Sequence, residues 1–143
     1  MTEMPKSGYE FFGHTADMGI RAHAPTRAEL FIELARGLIV LMVEDTVLHP
    51  LETRPIHLTA PDEESLLLAW LQELLFWFST ERFVPVKFFL PEVTQTTLRG
   101  IVEGETFQPT RHVQGREVKA ITRHQLVVRE RDSLWYGQVI VDI

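Results

Sequence analysis

Residues 66–78 read LLLAWLQELLFWF, and this run decides how the chain folds. Gln72 and Glu73 are its only polar residues, so apolar side chains would surround most of a helix. Asp62 stands just before the run, where its carboxylate can accept hydrogen bonds from the free amides of a first helical turn. A helix that is apolar around most of its circumference is buried. The run therefore predicts the central core helix, and core packing is favoured over an aromatic ligand pocket.

The rest of the chain supplies one more helix and a set of strands. Thr26 and Glu29 have capping-box spacing and apolar residues follow at helical spacing, so a helix is predicted over about 27–43. Apolar and polar residues alternate over 18–24, which predicts a strand. Further strands are predicted at 53–59, 83–90, 94–103, 117–124, 126–131 and 134–143. This order indicates an α+β fold, with two main helices packed on one face of a largely antiparallel β-sheet.

Length and composition fit one ordinary globular domain. The chain has 143 residues, and we expect residues 1–8 to form a flexible N-terminal tail and residues 9–143 a single domain. The absence of cysteine excludes disulfides, thiolate zinc sites and thiol catalysis. We recognise no signal peptide and no membrane span, so we expect a cytoplasmic protein with no membrane partner. No motif supplies an obvious nucleophile with its base.

The net charge of −6 is unevenly distributed. Residues 111–131 contain six bases and two acids, so this basic stretch carries +4 and the remainder of the chain −10. A chain whose main task is to grip a phosphate backbone is usually basic overall. The basic stretch is therefore either a local binding face or the solvated surface of a strand.

Two short segments concentrate groups that could bind a metal ion. His14, Thr15 and Asp17 bring an imidazole, a hydroxyl and a carboxylate close together in a glycine-flanked segment. Asp142 ends an apolar strand beside Ile143, whose terminal carboxylate adds a second anionic group. Adjacent anions repel unless they are solvated or bridged, and a hard divalent ion with oxygen ligands would bridge them. The simpler alternatives are a turn before a strand and a solvated chain end.

Lys119 is the cation that could accompany such an acidic site. On a strand it would share a face with Glu117, Ile121 and Arg123. It could neutralise excess carboxylate charge or contact a phosphate, or it could form an ordinary surface ion pair. Four other histidines lack ligand-like spacing and are interpreted as surface or structural residues: His23, His49, His57 and His112.

Several landmarks, in order over about residues 9–143, resemble the archease family. The first is the segment HTADMGI at 14–20. The run LLAWLQELL at 67–75 is similar to the family's LLxWLNELL. The remaining landmarks are ELF at 29–31, LM at 41–42, GE at 104–105, EVKAIT at 117–122 and the closing DI at 142–143.

The resemblance implies a small α+β protein that assists an RtcB-type RNA ligase in tRNA splicing. Such a protein promotes guanylylation and multiple turnover of the ligase without being an enzyme itself. The family's acidic metal site carries over to Asp17 and Asp142, with Ile143 as a neighbouring ligand. The implied ion is calcium, magnesium or manganese. Lys119 and His14 would support the site or contact the partner, and an indirect contact with RNA is left open.

Three positions depart from the family pattern. Gln72 replaces a frequent Asn, Arg123 precedes His124 where an aromatic residue is usual, and Gln108 stands where an acid is common. The Gln108 change could remove a supporting charge from the site. Two other functions are considered: a general chaperone or binding module for RNA-modifying enzymes, and a metal-dependent hydrolase acting at the two aspartates.

Overall fold

A computed structural model describes residues 6–13, 16–44 and 47–143. This part of the chain forms two helices and seven strands. In chain order they are β1 (Gly8–Gly13), β2 (Asp17–Ala24), α1 (Arg27–Met42), β3 (Glu52–Thr59), α2 (Glu63–Glu81), β4 (Phe83–Val93), β5 (Thr97–Thr106), β6 (Ala120–Arg131) and β7 (Leu134–Asp142).

The strands form two antiparallel sheets, and the helices pack against them. The four-stranded sheet has the order β1-β2-β7-β6, and the three-stranded sheet has the order β3-β5-β4. The predicted α+β class with two main helices and antiparallel strands is confirmed. The division into two sheets was not indicated by the sequence, because strand order depends on contacts between distant segments.

Helix α1 lies against the inner face of the four-stranded sheet. The Thr26 hydroxyl accepts a hydrogen bond from the Glu29 N–H at 3.1 Å, as the capping spacing predicts. Gly37 lets the helix approach the sheet closely, since a Cβ at this position would lie 2.6 Å from the Ile20 side chain. The predicted helix over about 27–43 is confirmed, and it ends at Met42.

Helix α2 is the predicted core helix. The Asp62 carboxylate accepts from the Ser65 N–H at 2.8 Å and thereby caps the helix. Trp70 is fully buried and donates its indole N–H to the Phe31 carbonyl at 2.9 Å, which joins α2 to α1. The helix ends at Glu81, and the C-cap residue Arg82 has a φ of 58°, in the left-handed region. No helix in the described ranges is both long and apolar enough to cross a membrane.

The C-terminal strands differ from the prediction. The expected strands at 117–124 and 126–131 form one strand, β6, which begins only at Ala120. The pairing of β6 with β7 shifts register between Thr122 and Val127, and Gln125 has a φ of 53°. This bulge keeps the strand continuous through a polar segment, and a polar segment of this kind looks like a turn in the sequence. The predicted break was therefore wrong.

Candidate metal site

The two predicted acidic ligands lie opposite each other on neighbouring strands. In the β2–β7 pairing, Asp17 is the direct partner of Asp142. Directly paired residues of antiparallel strands project from the same face, with Cβ atoms about 4.5–5.5 Å apart. The fold therefore brings together two carboxylates from opposite ends of the described chain.

Both carboxylates belong to the outer face of the four-stranded sheet. Their neighbours Met18 and Val141 pair with each other on the inner side, where Val141 is fully buried. Asp17 is half-buried and Asp142 is exposed. Ala120 of β6 pairs with Asp142 from the other side. Its side chain therefore shares the outer face of the sheet with the two acids.

Main-chain hydrogen bonds fix the end of β7 on both sides. The Lys119 N–H donates to the Asp142 carbonyl at 2.7 Å, and the Ile143 N–H donates to the Ala16 carbonyl at 3.3 Å. Ile143 is partly buried and packs against the core. The main-chain oxygens of Ile143 are therefore held next to Asp142.

Lys119 is near the acidic pair through its backbone. Its side chain is exposed and forms no hydrogen bond or ion pair with any residue that the structure describes. Residues 117–119 precede β6, so Lys119 does not share a strand face with Ile121. The predicted strand start at 117 was wrong because the backbone there turns away to bond α1 through Gly115 and Arg116.

The donor set at Asp17 and Asp142 has the chemistry of a site for a hard divalent cation. Carboxylate and main-chain oxygens are the ligands that calcium, magnesium and manganese prefer. Within residues 6–13, 16–44 and 47–143, no group of three or more His, Cys, Asp or Glu side chains could hold a metal ion. Ligands beyond the two aspartates would therefore come from main-chain oxygens and water. His14 lies outside the described residues.

The basic stretch 111–131 does not form one face. Arg111 forms an ion pair with Glu105 at 2.5 Å, and Arg123 donates to the Ser65 hydroxyl at 3.3 Å. Arg129 pairs with Tyr136 in the β6–β7 ladder, on the outer face of the four-stranded sheet. The positive charge that was grouped in sequence is thus divided among separate surfaces.

Sequence reasoning missed a buried charged cluster around Glu105. This side chain is 3% exposed and accepts hydrogen bonds at 2.5 Å from the His49 N–H and from Arg111. His112 is buried, and its Nε2 lies 3.6 Å from the carboxylate. Its Nδ1 accepts the Gln108 N–H at 2.8 Å, which leaves the proton of a neutral ring on Nε2.

The environment of Glu105 favours its charged form. Burial raises the pKa of Glu105, but the hydrogen bonds from His49 and Arg111 and the nearby positive charge outweigh burial, so the pKa is lowered from its usual value. The cluster joins the segment before β3 to the turn after β5. Only the Gly104-Glu105 landmark pointed to it, and a single acid at the end of a strand does not reveal its partners.

Comparison with known proteins places the chain in a family. The model of the Archease protein family (MTH1598/TM1083) matches residues 9–143. Protein archease of Methanosarcina acetivorans is 34% identical over 146 residues, which cover 98% of this chain and 100% of the relative. Protein archease of Sulfurisphaera tokodaii is 32% identical over 136 residues, covering 94% and 98% of the two chains.

Solved structures share the fold. The solution structure of Methanobacterium thermoautotrophicum protein 1598 superposes on this chain with a TM-score of 0.81. The two sequences are 33% identical, and the match covers 95% of this chain and 99% of that one. The crystal structure from Thermotoga maritima, described as an archease and possible chaperone, has a TM-score of 0.60 at 20% identity, covering 100% and 98% of the two chains. The family model and the identity to curated relatives over nearly their whole length show that this chain belongs to the archease family.

Proposed function

We propose that this chain is a non-catalytic protein cofactor that activates an RtcB-type tRNA-splicing RNA ligase. It would promote guanylylation and multiple turnover of the ligase. A divalent metal ion at Asp17 and Asp142 would take part. The observation that carries the proposal is the direct pairing of Asp17 with Asp142 across β2 and β7, in a chain of the archease family.

The pairing needs a physical reason, because like charges directly opposite each other on a sheet are destabilising. Other residues could occupy these two positions without that cost. A bound cation would offset the repulsion and hold the ends of β2 and β7 together. The carboxylates of Asp17 and Asp142 would be its ligands, with main-chain oxygens of Ile143 as neighbours and calcium, magnesium or manganese as the ion.

Lys119 precedes β6 and therefore lies on the opposite side of β7 from Asp17, where it would support the same site. Its N–H donates to the Asp142 carbonyl, and its ammonium, which forms no ion pair with any described residue, would contact a partner or balance charge at the site. His14 stays a predicted supporting residue. An indirect contact with RNA would arise through the ligase.

The test is a guanylylation assay with the cognate purified ligase, GTP and a divalent metal, at substoichiometric amounts of this chain. We expect strong stimulation by the wild type and its loss in the Asp17→Asn and Asp142→Asn variants. The matched control is Asp132→Asn, an exposed acid at the β6–β7 turn, at the opposite end of the same sheet. Stimulation that survives in both site variants would remove the metal ion from the mechanism.

Two further outcomes separate the alternatives. No stimulation by folded wild-type chain with an active ligase would favour a general chaperone or binding module for RNA-modifying enzymes. Turnover of a phosphoester or nucleotide by the chain alone would favour a metal-dependent hydrolase at Asp17 and Asp142.

A further inference from the structure

A groove runs beside the candidate metal site between the C-terminal half of α2 and residues 114–121. Three adjoining hollows of about 240, 270 and 330 Å³ form it. Lys119 lines two of them, and Ile143 lines the hollow nearest the acidic pair. We call this feature the α2 groove.

The floor of the α2 groove is apolar. Met42, Leu75, Phe78 and Val118 line the hollow between the two helices and the segment before β6. Phe76 lines the neighbouring hollow and is 56% exposed, although it lies in the C-terminal half of α2, whose residues are mostly apolar. An exposed aromatic side chain in a groove is a frequent anchor point of protein interfaces.

Cations border this floor. Arg82 is held by a 2.7 Å hydrogen bond from its guanidinium to the Gln114 side chain, and it lies 4.3 Å from the centre of the Phe78 ring. The side chains of Arg116 and Lys119 form no hydrogen bond or ion pair with any described residue. Three of the lining side chains are cationic and one, that of Glu117, is acidic, while the main-chain oxygens of Ile143 also border the groove.

The backbone along the groove also has unused hydrogen-bonding groups. The N–H groups of Gly115 and Arg116 donate to carbonyls at the end of α1, and the N–H of Lys119 donates to Asp142. The N–H groups of Glu117 and Val118, between them, form no hydrogen bond within the described part of the chain. Backbone amides of this kind can donate hydrogen bonds to the carbonyls of an extended peptide.

We infer that the α2 groove binds a segment of a partner protein in which acidic side chains alternate with apolar ones. The apolar floor and the exposed Phe76 would bind its apolar side chains, and Arg116 and Lys119 its carboxylates. The modest charge excess and the apolar floor favour such a peptide over a nucleic acid, whose binding requires more phosphate contacts. This inference rests on the proposed function for the identity of the partner, the RNA ligase.

The experiment measures the dissociation constant between labelled full-length chain and purified cognate ligase, without RNA or GTP. Phe76→Ala is compared with Phe89→Ala, which removes a phenylalanine that is 64% exposed on the three-stranded sheet. Arg116→Glu is compared with Arg129→Glu, which reverses an exposed charge on the outer face of the four-stranded sheet. We expect the two groove variants to raise Kd at least tenfold and the two controls to change it less than twofold.

The guanylylation assay at saturating chain then distinguishes the two proposals. Groove variants should recover stimulation when their concentration exceeds the raised Kd, because the acidic pair is intact. If the wild type stimulates the ligase and the groove variants bind the ligase as tightly as the controls do, the inference is overturned. The proposed function would then still stand. Wild-type chain that neither binds nor stimulates the ligase would overturn both.

A photocross-linking residue in place of Phe76 provides an independent measurement on the same complex. We expect an adduct with a ligase segment that carries acidic residues, and no such adduct from a cross-linker in place of Phe89. An adduct with RNA rather than with the ligase, in a reaction that contains both, would overturn the inference in favour of a nucleic-acid site.

Discussion

Replacing Asp142 with Asn is expected to change two properties of the protein in opposite directions. Without a divalent metal, the variant should be more stable than the wild type, because it removes the negative charge directly opposite Asp17. With metal, the variant should gain less stability than the wild type, because it has lost a carboxylate ligand. Replacing a residue with a purely structural role would not both raise the stability without metal and reduce the stability gained from metal.

The magnitudes follow from the pairing. Opposed like charges on a sheet cost about 0.2–1 kcal/mol, and two unit charges about 5 Å apart in water repel by about 0.8 kcal/mol. For a domain of this size, such a gain corresponds to a rise in Tm of about 1–4 °C. A metal concentration of about 100 times Kd would stabilise the wild type by about 2.7 kcal/mol. The variant should lose most of that second effect.

The assay is thermal unfolding followed by circular dichroism, first in EDTA and then with calcium, magnesium or manganese. Asp132→Asn is the control, since Asp132 is exposed at the β6–β7 turn with a φ of 53°, which asparagine tolerates. An Asp142→Asn variant less stable than wild type in EDTA would refute the repulsion argument. A variant with the full metal-induced rise in Tm would refute the assignment of the ion to this pair.

Three further predictions concern stability and are measured by urea denaturation. Trp70→Phe removes a buried indole and its hydrogen bond to Phe31 and should lower the free energy of unfolding by about 1–3 kcal/mol; a loss below about 0.5 kcal/mol would contradict the packing described. Glu105→Gln should cost about 1–3 kcal/mol near neutral pH, since it removes the buried carboxylate that accepts hydrogen bonds from Arg111 and from the His49 N–H. Because folding lowers the pKa of Glu105, its stabilisation is fully present above the usual glutamate pKa and is lost as pH falls through the lower folded value, so wild type and Glu105→Gln should converge on acidification. Gly104→Ala should destabilise the protein strongly, since the added Cβ would lie 2.1 Å from a backbone oxygen of β4, whereas Gly8→Ala, with 3.8 Å to its nearest neighbour, should be nearly neutral.

The features that the sequence predicted well are local. Helix α1 was predicted from a cap and a periodicity that lie within one segment, and the same holds for α2. Asp17 and Asp142 were grouped only through the family resemblance, because their pairing depends on the register between strands at opposite ends of the chain. No local pattern specifies such a register.

The Glu105 cluster also depends on contacts between distant segments, which no local sequence pattern specifies. Its partners come from the segment before β3 and from the turn after β5, so each donor is ordinary in its own sequence context. The basic stretch 111–131 illustrates the converse, since charges that are close in sequence are divided among different surfaces. Arg111 bonds a buried acid, while Arg116 borders the α2 groove. Charge counted along the chain therefore could not locate a binding face.

The composition of α2 connects the fold with the inferred binding groove. This helix contacts β6 of one sheet and all three strands of the other, which explains why it must be apolar around most of its circumference. Intramolecular packing accounts for buried residues such as Trp70 and Leu74, but not for Phe76, which stays largely exposed. Phe76 lies beside Arg116 and Lys119, whose side chains form no hydrogen bond or ion pair with the described residues, and the inferred partner segment would cover it. The run that predicts the fold thus also contains, at one position, the residue that the proposed interface uses.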